Sequence, residues 1–198
     1  MIEWCQTASG IPFYPLNPRM EDVRIEDIAH ALANMCRFAG HTREFYSVAQ
    51  HCVLASEMVE WASYEDPNHE ALYALLHDAS EAYIVDVPRP LKHQPEFAGY
   101  ILAESRLQTA IYSAFGLDPV EPGLLHVVDH RMLRTEQRDL MPPACNGDDR
   151  HDVEPYPDPI EPWTPTEARK RFLARFKELT GRPVWRKYLR LKWEDFCA

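Results

Sequence analysis

Apolar side chains recur at three- and four-residue intervals from about residue 25 onward, and no segment alternates convincingly with period two. That spacing makes one continuous stripe on a helix and scatters the same residues over both faces of a strand, so an all-α fold is expected. A first helix is expected over about 25–36, with Ile25, Ile28, Ala29, Leu32 and Cys36 on one face, broken by Arg37-Phe38-Ala39-Gly40-His41. A second opens at Ser47, where Ser47-Val48-Ala49-Gln50 has the S-x-x-Q form of a capping box, and Val48, Cys52, Ala55 and Val59 form its stripe. A third, capped by Asn68, carries Leu72, Leu75, Leu76 and Ala79 to about Tyr83 and is stopped by Pro88 and Pro90.

Two further helices are expected over about 96–115, ending at Gly116, and about 122–140. A sixth follows Thr164-Pro165-Thr166-Glu167, which supplies a cap, Pro at the first helical position and Glu two residues later, and runs to about Thr180 before Gly181. Between the fifth and sixth, residues 142–165 hold seven prolines and six acids, which excludes regular structure and suggests a long acidic loop. The first 24 residues read as irregular, punctuated by Pro12, Pro15 and Pro18, with Phe13, Tyr14 and Leu16 available to pack on a core.

At 198 residues, 45% of them apolar, the chain is long enough for one domain with a real core. The expected organisation is one domain over 1–198. It has a core at about 25–140, the Pro-rich loop at 142–165, and a C-terminal helix and tail at 166–198. Ten of the 21 basic residues lie between 169 and 192, and the tail carries Trp185, Tyr188, Leu191, Trp193 and Phe196. That face is read as solvated, with a subunit or ligand contact as the alternative.

The net charge of −10 argues against a nucleic-acid polymer as partner. It leaves phosphate ligands open, because a metal or a few local cations can supply positive charge. No apolar run approaches the roughly 18 residues of a membrane span, and Met1-Ile2-Glu3-Trp4-Cys5 does not read as a signal peptide. Five cysteines, none spaced C-x-x-C, read as reduced thiols rather than a disulfide framework or a thiolate zinc site, and a cytoplasmic location is expected.

The chemistry concentrates in Ala74-Leu75-Leu76-His77-Asp78-Ala79-Ser80-Glu81. On a continuous helix His77 and Glu81 share a face, and Asp78 lies about 100° from His77. Imidazole and carboxylate together suit Mn, Co, Fe, Zn or Ni better than Ca. A His-Asp pair alone is weak, since His151-Asp152 repeats it inside the Pro-rich loop and is taken as a decoy. The signal strengthens because His51 interrupts the apolar face of the second helix and Asp129 that of the fifth. Three apolar helices thus each direct a metal-competent group inward. A shared metal explains all three; a buried Asp–His or Asp–Arg network without metal is the alternative.

The pattern H…HD…D, set by His51, His77-Asp78 and Asp129, resembles the HD-domain metal-dependent phosphohydrolase superfamily. Arg37-Phe38 is similar to the Arg-aromatic pair of the bacterial HD 5′-deoxynucleotidases, and ALLHDASEAYIVDVPRPLK, residues 74–92, to their HD helix and following loop. Glu81, Asp86 and Lys92 stand at the family's acidic and basic positions, and Glu104 and Glu136 also fit. The resemblance covers about residues 25–140 and extends to a phage branch that removes triphosphate from dATP. Phe38 departs from the nucleotidases, which carry Trp there.

This resemblance implies an HD-domain helical bundle of about six helices holding one divalent metal (Co, Mn, Zn, Fe or Ni, or Mg) on His51, His77, Asp78 and Asp129. Glu81 is the implied general acid or base, with a carboxylate that orients His77 as its alternative role; Asp86 shares that work, contacts the sugar, or caps a turn. Arg37 and Lys92 are implied phosphate clamps, with a surface salt bridge as the alternative for each, and Phe38 stacks on a base or fills the core. The implied activity is deoxynucleotide hydrolysis, either dNMP to nucleoside and phosphate or dNTP to nucleoside and triphosphate, by a homo-oligomer. The alternatives are an HD phosphodiesterase on another nucleotide and a non-catalytic nucleotide- and metal-binding sensor.

Overall fold

A computed structural model describes residues 3–143 and 153–181 of the chain. The His151-Asp152 pair, the middle of the Pro-rich loop, and the aromatic and basic tail after Gly181 lie outside the described residues. The described chain is an all-α bundle: α1 (Ile25–Asn34), α2 (Val48–Ala62), α3 (Pro67–Leu76), α4 (Glu81–Ile84), α5 (Arg89–Lys92), α6 (Ala98–Phe115), α7 (Gly123–Leu140) and α8 (Pro165–Thr180). The central helix is α2, which packs against α1, α3, α7 and α8. Ala49, Cys52, Ala55 and Val59 of α2 meet Leu32, Leu75, Leu76, Leu125 and Phe172 in one core. Among the described residues no helix is long and apolar enough to cross a membrane.

The helix starts follow local capping chemistry. Ser47 Oγ accepts the Gln50 N–H, and Thr164 accepts the Glu167 N–H ahead of Pro165. Gly116 and Gly181 end α6 and α8 in the left-handed conformation that a side chain disfavours. Ser47 is fully buried, so Ser47→Ala leaves an amide without its partner. A loss of about 1 kcal/mol in urea unfolding is expected, against a few tenths for Ser47→Gly.

Several expectations are corrected. Asp66, not Asn68, caps α3: its carboxylate accepts the His69 N–H and Pro67 takes the first helical position. The third helix does not run unbroken to Tyr83. It leaves α geometry after Leu76, passes through a turn at 77–80, and resumes as α4. The first 24 residues contain a two-residue antiparallel ladder, Cys5–Gln6 (β1) with Pro12–Phe13 (β2), too short to register as alternation. Its turn is anchored where Ser9 donates both its N–H and its hydroxyl to the Asp27 carboxylate at 2.7 Å. Phe13 is fully buried and stacks on Tyr83 at 3.8 Å, whereas Leu16 stays exposed.

Residues 153–164 are irregular as expected, but they lie along the bundle as a strap rather than leaving it. Gln50 does not complete a capping box; its amide donates to Glu161 O and accepts the Trp163 N–H, both at 2.8 Å. From α7, Arg131 donates to Glu154 O and Arg138 to Tyr156 O, while Asp139 accepts the Ile160 N–H. The arginines bind backbone carbonyls, so prolines that cannot donate leave a row of acceptors.

Candidate metal centre

His51 lies near the start of α2 and is fully buried. Its Nδ1 is 2.6 Å from Glu136 Oε1 on α7. His77 caps the end of α3, and its Nδ1 is 2.7 Å from Ala74 O. A carbonyl cannot donate, so His77 Nδ1 carries the proton and Nε2 offers a lone pair. With Nδ1–H of His51 given to Glu136, both imidazoles turn Nε2 inward, 3.2 Å apart. Two facing lone pairs at that distance repel unless positive charge, as a proton or a metal ion, sits between them. Asp78 Oδ2 is 3.4 Å from His77 Nε2 and 3.7 Å from His51 Nε2, and Asp129 Oδ1 is 3.8 Å and 3.2 Å from the same atoms.

His51, His77 and Asp78 each offer a donor atom within 4.8 Å of the others' donors, a cluster capable of binding a divalent metal. Two imidazole nitrogens braced on their far sides, plus carboxylates, are the donor chemistry such an ion takes. The charge balance agrees. Burial and Arg37 push the His51 pKa down, but Glu136 and Asp129 outweigh them and lift it to about 9. Burial also opposes ionisation of Asp129, yet the His51 hydrogen bond and nearby positive charges hold its carboxyl well below the usual range. The same contest, decided by Arg37 and the imidazoles, keeps Asp78 and Glu136 low. The acids hold a positive charge at the centre.

Arg37 connects these acids, with NH1 3.2 Å from Asp78 Oδ2 and NH2 3.2 Å from Glu136 Oε2. It stands where the backbone is strained: Phe38 and Ala39 have φ of 54° and 51°, a left-handed conformation rare outside glycine. The Arg37 guanidinium lies 5.7 Å from the half-buried Phe38 ring.

Glu81 is buried, and its Oε2 makes no hydrogen bond among the described residues. Burial pushes its pKa well above the ordinary carboxylate value, helped by the Asp78 and Asp86 charges. Lys92 Nζ is 3.7 Å from Glu81 but 2.6 Å from Glu104 Oε1, so Glu104 is its closer partner. Asp86 follows Val85, whose φ of 64° is strained for a β-branched side chain. Tyr100 holds that turn by donating to Val85 O at 2.7 Å.

The chain therefore brings His51, His77, Asp78 and Asp129 together, with Arg37 against Asp78 and Lys92 against Glu81. Asp86 acts on Glu81 through its charge, and Phe38 acts on the Arg37 side. The brace supplied by Glu136 and Tyr46, whose hydroxyl donates to Glu136 Oε1 at 2.9 Å, went beyond the sequence reading, which placed Glu136 only by resemblance. Glu136 lies seven residues after Asp129, two turns along α7, which is the only local hint that both face one centre.

Fold and site together define an all-α protein with a His/Asp cluster capable of binding a divalent metal, features consistent with a metal-dependent hydrolase. The chain belongs to the family of YfdR from Escherichia coli (strain K12), to which it is 37% identical over 187 residues, covering 90% of this chain and 97% of YfdR. A Rhodobacter capsulatus protein is 38% identical over 121 residues, 60% of this chain and 61% of that protein. No protein-family model matches the chain.

Proposed function

We propose that this protein is an HD-domain phosphohydrolase that uses one divalent metal, held by His51, His77, Asp78 and Asp129, to hydrolyse deoxynucleotides. The observation that carries the metal is the pair of inward-facing Nε2 atoms 3.2 Å apart, each braced from behind and flanked by carboxylate. The deoxynucleotide class rests on the likeness of residues 37–38 and 74–92 to the 5′-deoxynucleotidases. The reading takes 1–198 as one domain working as a cytoplasmic homo-oligomer.

When bound, the ion acidifies water and withdraws charge from a phosphoryl group. The side chains supply the rest. Burial raises the Glu81 pKa well above the ordinary carboxylate value, which favours the protonated form that can donate to the departing sugar oxygen. Asp86 contributes negative charge near Glu81, which raises that pKa further. Arg37 already meets Asp78 and Glu136, but each terminal nitrogen keeps a second N–H for a phosphate oxygen. Lys92 adds a point charge beside Glu81, and Phe38 offers a ring beside Arg37 for the base.

The test is direct. The protein is incubated with each dNMP and each dNTP in Co²⁺, Mn²⁺ or Mg²⁺, and products are separated by anion exchange, with Asp78→Ala as the blank. Nucleoside and phosphate from dNMPs are the result expected of a 5′-nucleotidase. Nucleoside and tripolyphosphate from one dNTP, with dNMPs untouched, assign the triphosphohydrolase branch. No turnover of either set rejects the deoxynucleotide reading.

A further inference from the structure

Beyond that reading, and resting on it, the turn between α3 and α4 carries information about what shapes the site. In a continuous α-helix the Ser80 N–H bonds Leu76 O. Here that bond is replaced by a side chain from another helix. Gln108, on α6, donates its Nε2 to Leu76 O at 2.7 Å and accepts the Ser80 N–H on Oε1 at 3.0 Å. The backbone tightens around the insertion. Ala79, Glu81, Ala82 and Tyr83 each bond the carbonyl three residues earlier, at 3.0–3.3 Å. His77 and Ser80 have φ/ψ near −62°/−31°, values shared by tightened helical turns.

The tightening changes which side chains align. Four residues of α-helix return to within about 40° of the starting direction, which would stack Glu81 on His77. At three residues per turn the same step leaves them about 120° apart, and residues i and i+3 eclipse instead. Asp78 and Glu81 are then the aligned pair. The Asp78 charge is accordingly the largest electrostatic influence on Glu81. His77, at the start of the turn, meets His51 at 3.2 Å.

We infer that Gln108 is a positioning residue for the metal centre: its carboxamide, inserted between Leu76 O and Ser80 N–H, holds the tightened turn that aims His77 at His51 and aligns Asp78 with Glu81. This role differs from simple structural support in a measurable way. If the amide is removed, Leu76 O and Ser80 N–H can bond each other, so the backbone loses little. The cost falls on the aim of the side chains.

The experiment uses the full chain as wild type, Gln108→Met and Gln108→Glu. The methionine matches the length of glutamine and cannot bridge; the glutamate keeps the acceptor for Ser80 and loses the donor to Leu76. Co²⁺ is titrated by its visible absorption, thermal unfolding is followed by circular dichroism, and kcat and KM are taken on the best substrate of the panel above. The expected result for Gln108→Met is a Co²⁺ Kd weaker by about 10- to 100-fold with an altered spectrum. A lower kcat at similar KM and a Tm within a few degrees of wild type accompany it. Gln108→Glu covers the case in which the methionine variant does not fold, and is expected to shift the spectrum in the same direction. Wild-type Kd, spectrum and kcat in either folded variant overturn the inference alone. No Co²⁺ binding by the wild type overturns the metal reading, and this inference with it.

Discussion

Asp78→Ala is expected to abolish hydrolysis and to weaken Co²⁺ binding by at least about 100-fold. Residues that merely orient metal ligands cost about 10–100-fold when removed, and Asp78 is proposed as a ligand itself. The fold should survive. The Asp78 side chain is partly exposed, and Arg37 keeps its 3.2 Å contact to Glu136 without it. Circular dichroism and gel filtration separate this outcome from unfolding. Retained Co²⁺ affinity in a folded Asp78→Ala protein would falsify the proposed ligand set.

Glu81→Gln tests the chemistry with the metal left in place. The amide has nearly the shape of the acid but cannot give up a proton. A fall in kcat of about 10²–10⁴ is expected, with Co²⁺ affinity changed by less than about threefold. The pH profile supplies an independent check. Burial, then Asp78 and Asp86, raise the Glu81 pKa, so an acid at this position is present at low pH and lost as pH rises through that raised value. The wild-type rate should therefore decline on the alkaline side, and Glu81→Gln should lose that limb. A variant that keeps both the rate and the limb removes Glu81 from proton transfer and leaves it as a neighbour of Lys92.

The two variants separate two contributions. Asp78→Ala removes binding and turnover together. Glu81→Gln removes turnover alone. Lys92 lies between these effects: its Nζ is held by Glu104 at 2.6 Å, so it influences Glu81 by charge without sharing its proton.

Much of this molecule follows from residues within four positions of one another. The stripe Ile25, Ile28, Ala29, Leu32 becomes the buried face of α1, and Leu72, Leu75 and Leu76 that of α3. Ser47 and Thr164 cap their helices, and Gly116 and Gly181 end them. These outcomes rest on hydrogen bonds and periodicity that a helix satisfies within itself. The choice between Asn68 and Asp66 as cap shows the limit of that logic, because both can accept and Pro67 decides for the earlier position.

His51, His77-Asp78 and Asp129 were also legible as metal-competent groups, since they are costly interruptions of apolar faces. Their convergence to 3.2–3.8 Å was decided by how α2, α3 and α7 pack. So were the bracing of His51 by Glu136, 85 residues away, and the strap held by Gln50 across 111. The sequence by itself determined the helical class, the Ser47 and Thr164 caps and which residues are metal-competent, because each depends on neighbours along the chain. Only the tertiary structure decided that Gln108 takes the place of the Leu76–Ser80 bond. A side chain from another helix can compete for a backbone hydrogen bond only after packing has brought it within reach.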